Sequence, residues 1–311
     1  MNMRALVVRR LDGPDSLEMI ETPLPEPAQG QVRIKVAAAA INPIDLVVAS
    51  GIAVQAGLTV LREQFGLGWD VAGVVDAAGP GTDLAVGTPV IGLADRLGRP
   101  LKTHAEYVVL DTTAVTLAPT NVDLVNAATI PLNALTALRA LKLLQLTADT
   151  VLVTGAAGGV GGYAVELAKH FGLTVIAAAG EEDEEYVRSI GADHFVSRAQ
   201  DLTTAVHAIV PAGVDALVDA ANLEMAAQEA VRTGGQHTHF HAGPTPPALR
   251  GITVHQILVQ ADRTELAELS ELAARRVIST RVADTYPLDD AVTAYKRLAK
   301  GGVRGRLVLI P

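Results

Sequence analysis

The chain has 311 residues, of which 49% are hydrophobic and only 3% aromatic, a formal net charge of -9 and no cysteine. That length predicts two domains, with a core built from Ala, Val, Leu and Ile as in helix-covered parallel sheets. The negative charge, with no Lys/Arg cluster to offset it, argues against nucleic acid as a partner. Without cysteine there is no disulfide, no thiolate zinc site and no cysteine nucleophile. No apolar run is long enough to cross a bilayer, and residues 1–8 lack a signal peptide's apolar stretch, so a cytoplasmic protein with no membrane partner is expected.

In chain order, short apolar runs at residues 4–9, 32–37, 71–77, 88–92 and 105–110 predict strands. Pro23, Pro25 and Pro27 mark an extended connector, and Gly79, Pro80 and Gly81 a turn, so residues 1–121 read as a barrel-like β domain. From residue 122 to 259 the pattern changes to strands alternating with helices. Its first unit is an apolar run at 151–153, the glycine-rich Thr154 to Gly162, and a helical stretch at 163–169. A second apolar run at 173–178 completes a βαβ spacing. Gly155, Gly158 and Gly161 give G-x-x-G-x-x-G, suited to a tight turn, a close approach of backbone to pyrophosphate and close packing of helix on strand. Gly155, Ala156, Ala157, Gly158, Gly159, Val160 and Gly161 are therefore candidate dinucleotide contacts. Further strands are expected at 192–196, 215–220, 236–241 and 252–259, with helices at 184–190, 224–231 and 264–275. A helical segment at 288–300 and a strand at 305–310 close the segment 260–311.

These residues resemble a family. Residues 40–45 (Ala40, Ile41, Asn42, Pro43, Ile44, Asp45), the run from Gly68 to Val75, and Ala105 to Val108 are three of its pieces. Pro131 to Leu138, Gly155 to Gly161 and Gly302 to Val308 are the others, and all six stand in the family's order. The chain is similar to the medium-chain dehydrogenase/reductase superfamily, in the zinc-free quinone oxidoreductase (zeta-crystallin-like) branch. The resemblance implies an α/β fold: a Rossmann doubly wound parallel sheet plus a GroES-like β-barrel domain. Residues 260–311 would return to that first domain, with the active site in the cleft between domains. Zinc-dependent relatives hold their metal at positions that match Asn42, Trp69 and Leu132, and neither Trp nor Leu can ligate zinc, so no metal site is expected.

The resemblance also implies roles, each beside a plainer reading. Asn42 would be an amide donor near nicotinamide and substrate, or a turn residue before Pro43. Asp45 would orient the site, although a helix N-cap is favoured. His104 would donate a proton or shape the pocket, or be a surface loop histidine. Thr136 would touch the nicotinamide end of the cofactor, or be an ordinary helix threonine. His241 and Ala242, ending a strand that aligns His237, His239 and His241 on one face, are cofactor candidates, as is Arg304. Strand neighbours spaced about 7 Å apart make that trio a polar strand face rather than a metal site.

For the cofactor, the second Rossmann strand ends in Ala177, Ala178, Ala179 and Gly180 with no ribose-binding carboxylate, which favours NADPH over NADH. Ser197 and Arg198 are candidates for the 2′-phosphate, while the acids from Glu181 to Glu185 oppose it unless they complement a helix dipole. The expected activity is zinc-independent hydride transfer from NADPH, or alternatively NADH, to a small-molecule quinone or enone. A non-catalytic dinucleotide-binding redox sensor or partner-binding protein is the competing reading. Strand 252–259 would be an exposed sheet edge, so a homodimer through it is expected.

Overall fold

A computed structural model describes residues 1–144, 149–240 and 245–311, and the chain divides into two compact units. The first unit comprises Met1–Leu132, Gln260–Arg276 and Thr280–Pro311. Its hub is the strand Gln31–Ala40, which pairs antiparallel with Asp70–Ala78, with Tyr107–Asp111 and with Arg306–Ile310. Val32, Ile34 and Val36 alternate into a core with Val71, Val75, Val90, Val108 and Val115, so the period-2 pattern of this strand is satisfied by burial of one face. Register shifts at Arg33/Ile34 and Val36/Ala38 bend the strand. Pro89–Leu93 and Val115–Leu117 extend the sheet beyond Asp70–Ala78, and Val282–Pro287 lies beyond Arg306–Ile310. A smaller sheet joins Leu17–Pro23, Asn2–Val8 and Phe65–Gly66. The helix Pro43–Ala49 starts directly after the hub strand and packs Val48 and Ala49 into a cluster with Phe65, Leu67, Tyr295, Leu307 and Leu309.

The second unit comprises Asn133–Val259 and Val277–Ser279. Its six strands are all parallel, and across the sheet they run His194–Ser197, Thr174–Ala179, Thr150–Thr154, Val214–Asp219, Val231–His239 and Thr253–Gln256. Numbered along the chain that order is 3-2-1-4-5-6, the doubly wound arrangement, with its switch point between Thr150–Thr154 and Val214–Asp219. Leu152, Ile176, Val196, Val214 and Leu217 form a core with Ala227 and Val231, which is why these strands read as continuous aliphatic runs. No helix among the described residues is long and apolar enough to cross a membrane.

Several boundaries differ from expectation. The helix expected at 224–231 shrinks to Met225–Gln228, because Val231 already begins a strand that runs to His239. Gly235 permits that strand: a Cβ there would lie 2.8 Å from the Asp215 carbonyl oxygen and 2.5 Å from Val231. The strand expected at 252–259 is only Thr253–Gln256. Leu17–Pro23, Val115–Leu117 and Val282–Pro287 were not expected as strands.

Glu166, on the helix Gly159–His170, is a buried carboxyl that accepts a hydrogen bond from the Ser279 N–H at 3.0 Å. Burial raises its pKa to about 7, against the lowering effect of the Ser279 hydrogen bonds. A raised carboxyl pKa favours the folded state fully below the unfolded value and loses that contribution as pH rises through about 7. Glu166→Gln keeps the acceptor and removes the charge. Its gain in stability over the parent is expected to be about 1–3 kcal/mol at pH 8 and near zero at pH 4, measured by thermal unfolding across pH.

Candidate active site

In the second unit, the turn after Thr150–Thr154 is built from positions where a side chain does not fit. Gly155 has a left-handed φ of 59°, and a Cβ on Gly161 would fall 2.1 Å from the Gly155 carbonyl oxygen. The helix Gly159–His170 therefore starts against the turn itself, with Gly158 as its N-cap. Gly158 is exposed, and a Cβ there would meet only the Gly155 oxygen at 3.1 Å, so ligand can approach this backbone closely. Ala156 is buried, and its N–H donates to the Ala178 carbonyl at 3.1 Å, pinning the turn to the second strand. Ala157, Gly159 and Val160 are half-buried, and the first-turn N–H groups, which an α-helix leaves unpaired, face no acidic side chain of that turn. This cradle fits a pyrophosphate.

Across the switch point, Asp219 holds the facing loop. Its carboxylate accepts from Thr154 Oγ1 at 2.6 Å and from the N–H groups of Leu223 and Glu224 at 3.1 and 2.7 Å. Thr154 Oγ1 in turn accepts from the Ala221 N–H at 3.0 Å. Asp219 was not singled out from the sequence; an acid closing an aliphatic run beside a glycine turn is the signal that could have found it.

Gly180, Ser197 and Arg198 lie at the ends of the second and third strands, and acids occupy them. Ser197 Oγ donates to Glu181 Oε1 at 3.2 Å, and Arg198 Nη2 pairs with Glu182 Oε1 at 3.1 Å. The Glu182 carboxylate also folds over Gly180, where a Cβ would meet it at 2.6 Å. Thr136 is buried on the helix Pro131–Leu143. His241 and Ala242 lie outside the described residues. His237 and His239 are buried with ring centroids 6.0 Å apart, and Gln228 Nε2 lies 3.3 Å from His237 Nδ1.

In the first unit, Asn42, Asp45 and His104 come together around the end of the hub strand. Asn42, not Asp45, is the N-cap of Pro43–Ala49; Asp45 is the third helical residue, and its carboxylate closes a capping box by accepting from the Asn42 N–H at 2.9 Å and ties the helix to residues 65–70 by accepting from the Gly68 N–H at 2.8 Å. The Asn42 amide is fully buried and donates to Asp70 Oδ2 at 2.7 Å. Asp70 Oδ1 accepts from the Leu132 N–H at 2.6 Å. Burial pushes the Asp70 carboxyl up to about 6, while Leu132, Asn42 and the charge of Arg306 hold it down. The three positions matched to a metal set are thus joined through Asp70 and its chain neighbour Trp69. Trp69 and Leu132 offer no metal-donor atom, so the residues present do not form a zinc site.

His104 is no surface histidine: it is 1% exposed, with Nδ1 2.8 Å from the Tyr295 hydroxyl and Nε2 3.2 Å from the Ala40 carbonyl oxygen. A carbonyl only accepts, so Nε2 carries the proton and Nδ1 accepts from Tyr295. Burial lowers the pKa of His104, which keeps it neutral. Beside it, Lys102 is 4% exposed with Nζ 3.8 Å from the Trp69 ring centroid. Burial brings Lys102 down to about 7, against the opposing charges of Asp45, Asp95 and Asp70. Asp70, Lys102 and Tyr295 were not singled out from the sequence. Arg304 is exposed on the loop before Arg306–Ile310.

Comparison with known proteins agrees with this architecture. Residues 28–120 match the alcohol dehydrogenase GroES-like domain, and residues 190–309 match the zinc-binding dehydrogenase family. The chain is 30% identical to an NADPH-dependent alkenal/one oxidoreductase, chloroplastic, of Arabidopsis thaliana, over 99% of this chain and 80% of the relative. A quinone oxidoreductase from Coxiella burnetii superposes with a TM-score of 0.86 at 28% identity, covering 100% of both chains. A mycobacterial structure complexed with NADPH superposes at 0.83 with 28% identity, over 99% of this chain and 100% of that one. The chain belongs to the medium-chain dehydrogenase/reductase superfamily, in its quinone oxidoreductase branch, and is an oxidoreductase.

Gly161→Ala is expected to cost about 1–3 kcal/mol through the clash with the Gly155 oxygen and to weaken dinucleotide binding. Thermal melting and a fluorescence titration with NADPH check both. An unchanged melting temperature would mean the turn relaxes freely.

Proposed function

We propose that the chain is a zinc-independent NAD(P)H-dependent oxidoreductase that reduces a quinone or an α,β-unsaturated carbonyl compound. The observation that carries this reading is the use of Asn42, Trp69 and Leu132 around a buried carboxylate, Asp70, in place of a metal donor set. The similarity to an alkenal/one oxidoreductase and to a quinone oxidoreductase supports the acceptor class. Without a Lewis acid, a conjugated acceptor is favoured, since conjugation already spreads the charge that hydride addition creates.

The bound dinucleotide supplies a hydride from nicotinamide C4. Gly155 to Gly161 would hold its pyrophosphate through backbone N–H groups, and the Glu182 carboxylate would have to leave the space over Gly180 for the ribose to enter. Asn42 and Asp45 act as positioning residues: both are spent on internal hydrogen bonds that fix the end of the hub strand. His104, with both ring nitrogens committed and neutral, holds Tyr295 and the Ala40 carbonyl in place. Purified protein is expected to oxidise NADPH or NADH with members of a panel of quinones and enones, and to keep that activity in a chelator. Activity with no acceptor, or activity lost to chelation and restored by zinc, would reject the reading.

NADPH is the proposed donor ahead of NADH, on a second strand that itself ends in Ala179 and Gly180 without an acid and on the exposed Arg198 just past the third strand. Glu182 works against that preference by pairing with Arg198. Glu182→Gln is therefore expected to raise the ratio of kcat/KM for NADPH over NADH about three- to tenfold, a gain of about 1 kcal/mol. A ratio that stays constant or falls would remove Arg198 from the 2′-phosphate site.

A further inference from the structure

Lys102 stands in an unusual position for a lysine. It is 4% exposed, its ammonium lies over the Trp69 ring, and it makes no hydrogen bond or ion pair with any described residue. The carboxylates whose charge reaches it are engaged elsewhere. Asp45 accepts from Asn42 and Gly68, Asp70 accepts from Asn42 and Leu132, and Asp95 Oδ2 accepts from the Ala261 N–H at 2.7 Å. His104 also faces it, but both its nitrogens are bonded.

Lys102 lines a cavity of about 220 Å³ in the first unit, together with Leu93, Asp95, Arg96, Arg99 and Asp111. Arg96 is paired with Asp111 at 3.1 Å, and Asp111 also accepts from Gln31 Nε2 at 2.8 Å. The side chain of Arg99, exposed at the rim, has no partner among the described residues. The cavity thus offers two uncommitted cations and two committed carboxylates.

We infer that this cavity is a binding site for a small organic monocarboxylate, with the Lys102 ammonium as its buried counter-charge and Arg99 at its mouth. An ammonium removed from water is costly unless an opposite charge or several acceptors replace the water, and one ring face replaces only part of it. A carboxylate supplies the missing charge and acceptors. The lining acids Asp95 and Asp111 disfavour a dianion such as phosphate, which selects the single charge. Because Lys102 titrates near neutrality, a carboxylate that binds the ammonium draws in a proton, and its affinity falls as pH rises above about 7.

The site needs no dinucleotide and no turnover, so it stands or falls separately from the proposed activity. Isothermal titration of the full chain without dinucleotide tests it, with butyrate as the anion and butyramide as its neutral isostere. Butyrate is expected to bind at pH 7 with uptake of about half a proton per site, read from the buffer dependence of the heat, and butyramide at least about tenfold more weakly. Lys102→Met is expected to lower butyrate affinity about tenfold and leave butyramide unchanged. The pH series on the unaltered protein, with affinity falling from pH 6 to pH 9, tests the site even if that variant fails to fold. No butyrate binding, equal binding of butyramide, or pH-independent affinity would overturn the inference.

Discussion

A carboxylate without any solvent exposure is costly to bury, and Asp70 is such a group; its two oxygens each receive a strong hydrogen bond, from Asn42 at 2.7 Å and from the Leu132 N–H at 2.6 Å. Those donors come from stretches 28 and 62 residues away along the chain. The strand end, the start of the helix Pro43–Ala49 and the start of Pro131–Leu143 are therefore fixed to one point. Removing any one donor leaves a buried charge short of a partner, a penalty of about 1–3 kcal/mol. This explains how positions 69 and 132 can carry Trp and Leu: the holding is done by the neighbouring carboxylate and by backbone, not by these side chains.

The second unit rests on the opposite kind of constraint, an absence of side chains. Gly161 and Gly155 approach so closely that the helix, the turn and the first strand form one piece of backbone. The Asp219 bonds to Thr154, Leu223 and Glu224 then fix the facing loop. At the charged periphery Glu181 and Glu182 already occupy Ser197 and Arg198, so a 2′-phosphate would have to displace them.

How much of this could be read from residues alone follows from how local each requirement is. Gly155, Gly158 and Gly161 are legible because a steric demand within seven residues leaves a spacing in the sequence. The strands of the parallel sheet are legible because burial on both faces makes them aliphatic throughout. Asp70, Lys102 and Tyr295 leave no such trace. The partner of Tyr295 lies 191 residues away, and the cavity beside Lys102 is lined from separate stretches of chain, among them Leu93 to Arg96 and Tyr107 to Asp111. The same holds for His104, whose burial is set by the fold of the whole first unit. Leu17–Pro23 went unseen as a strand because its residues are mostly half-exposed and show no clean alternation.

The hub strand of the first unit also sets an order of events during synthesis. Val308 pairs with Ala40, and the Ile41 N–H donates to the Leu307 carbonyl at 2.9 Å, a separation of more than 260 residues. Leu307 and Leu309 also fill the core under Phe65 and Val48. The N-terminal part of this unit, although made first, waits with an unpaired strand end and an open core until residues 306–310 have left the ribosome. The sheet of the second unit draws its strands from residues 150–256 and needs none from the C-terminal stretch, Val277–Ser279 adding the bond to Glu166. The part of the chain translated in the middle can thus be the first to fold, and the interval before closure is when the nascent first unit is most exposed to aggregation.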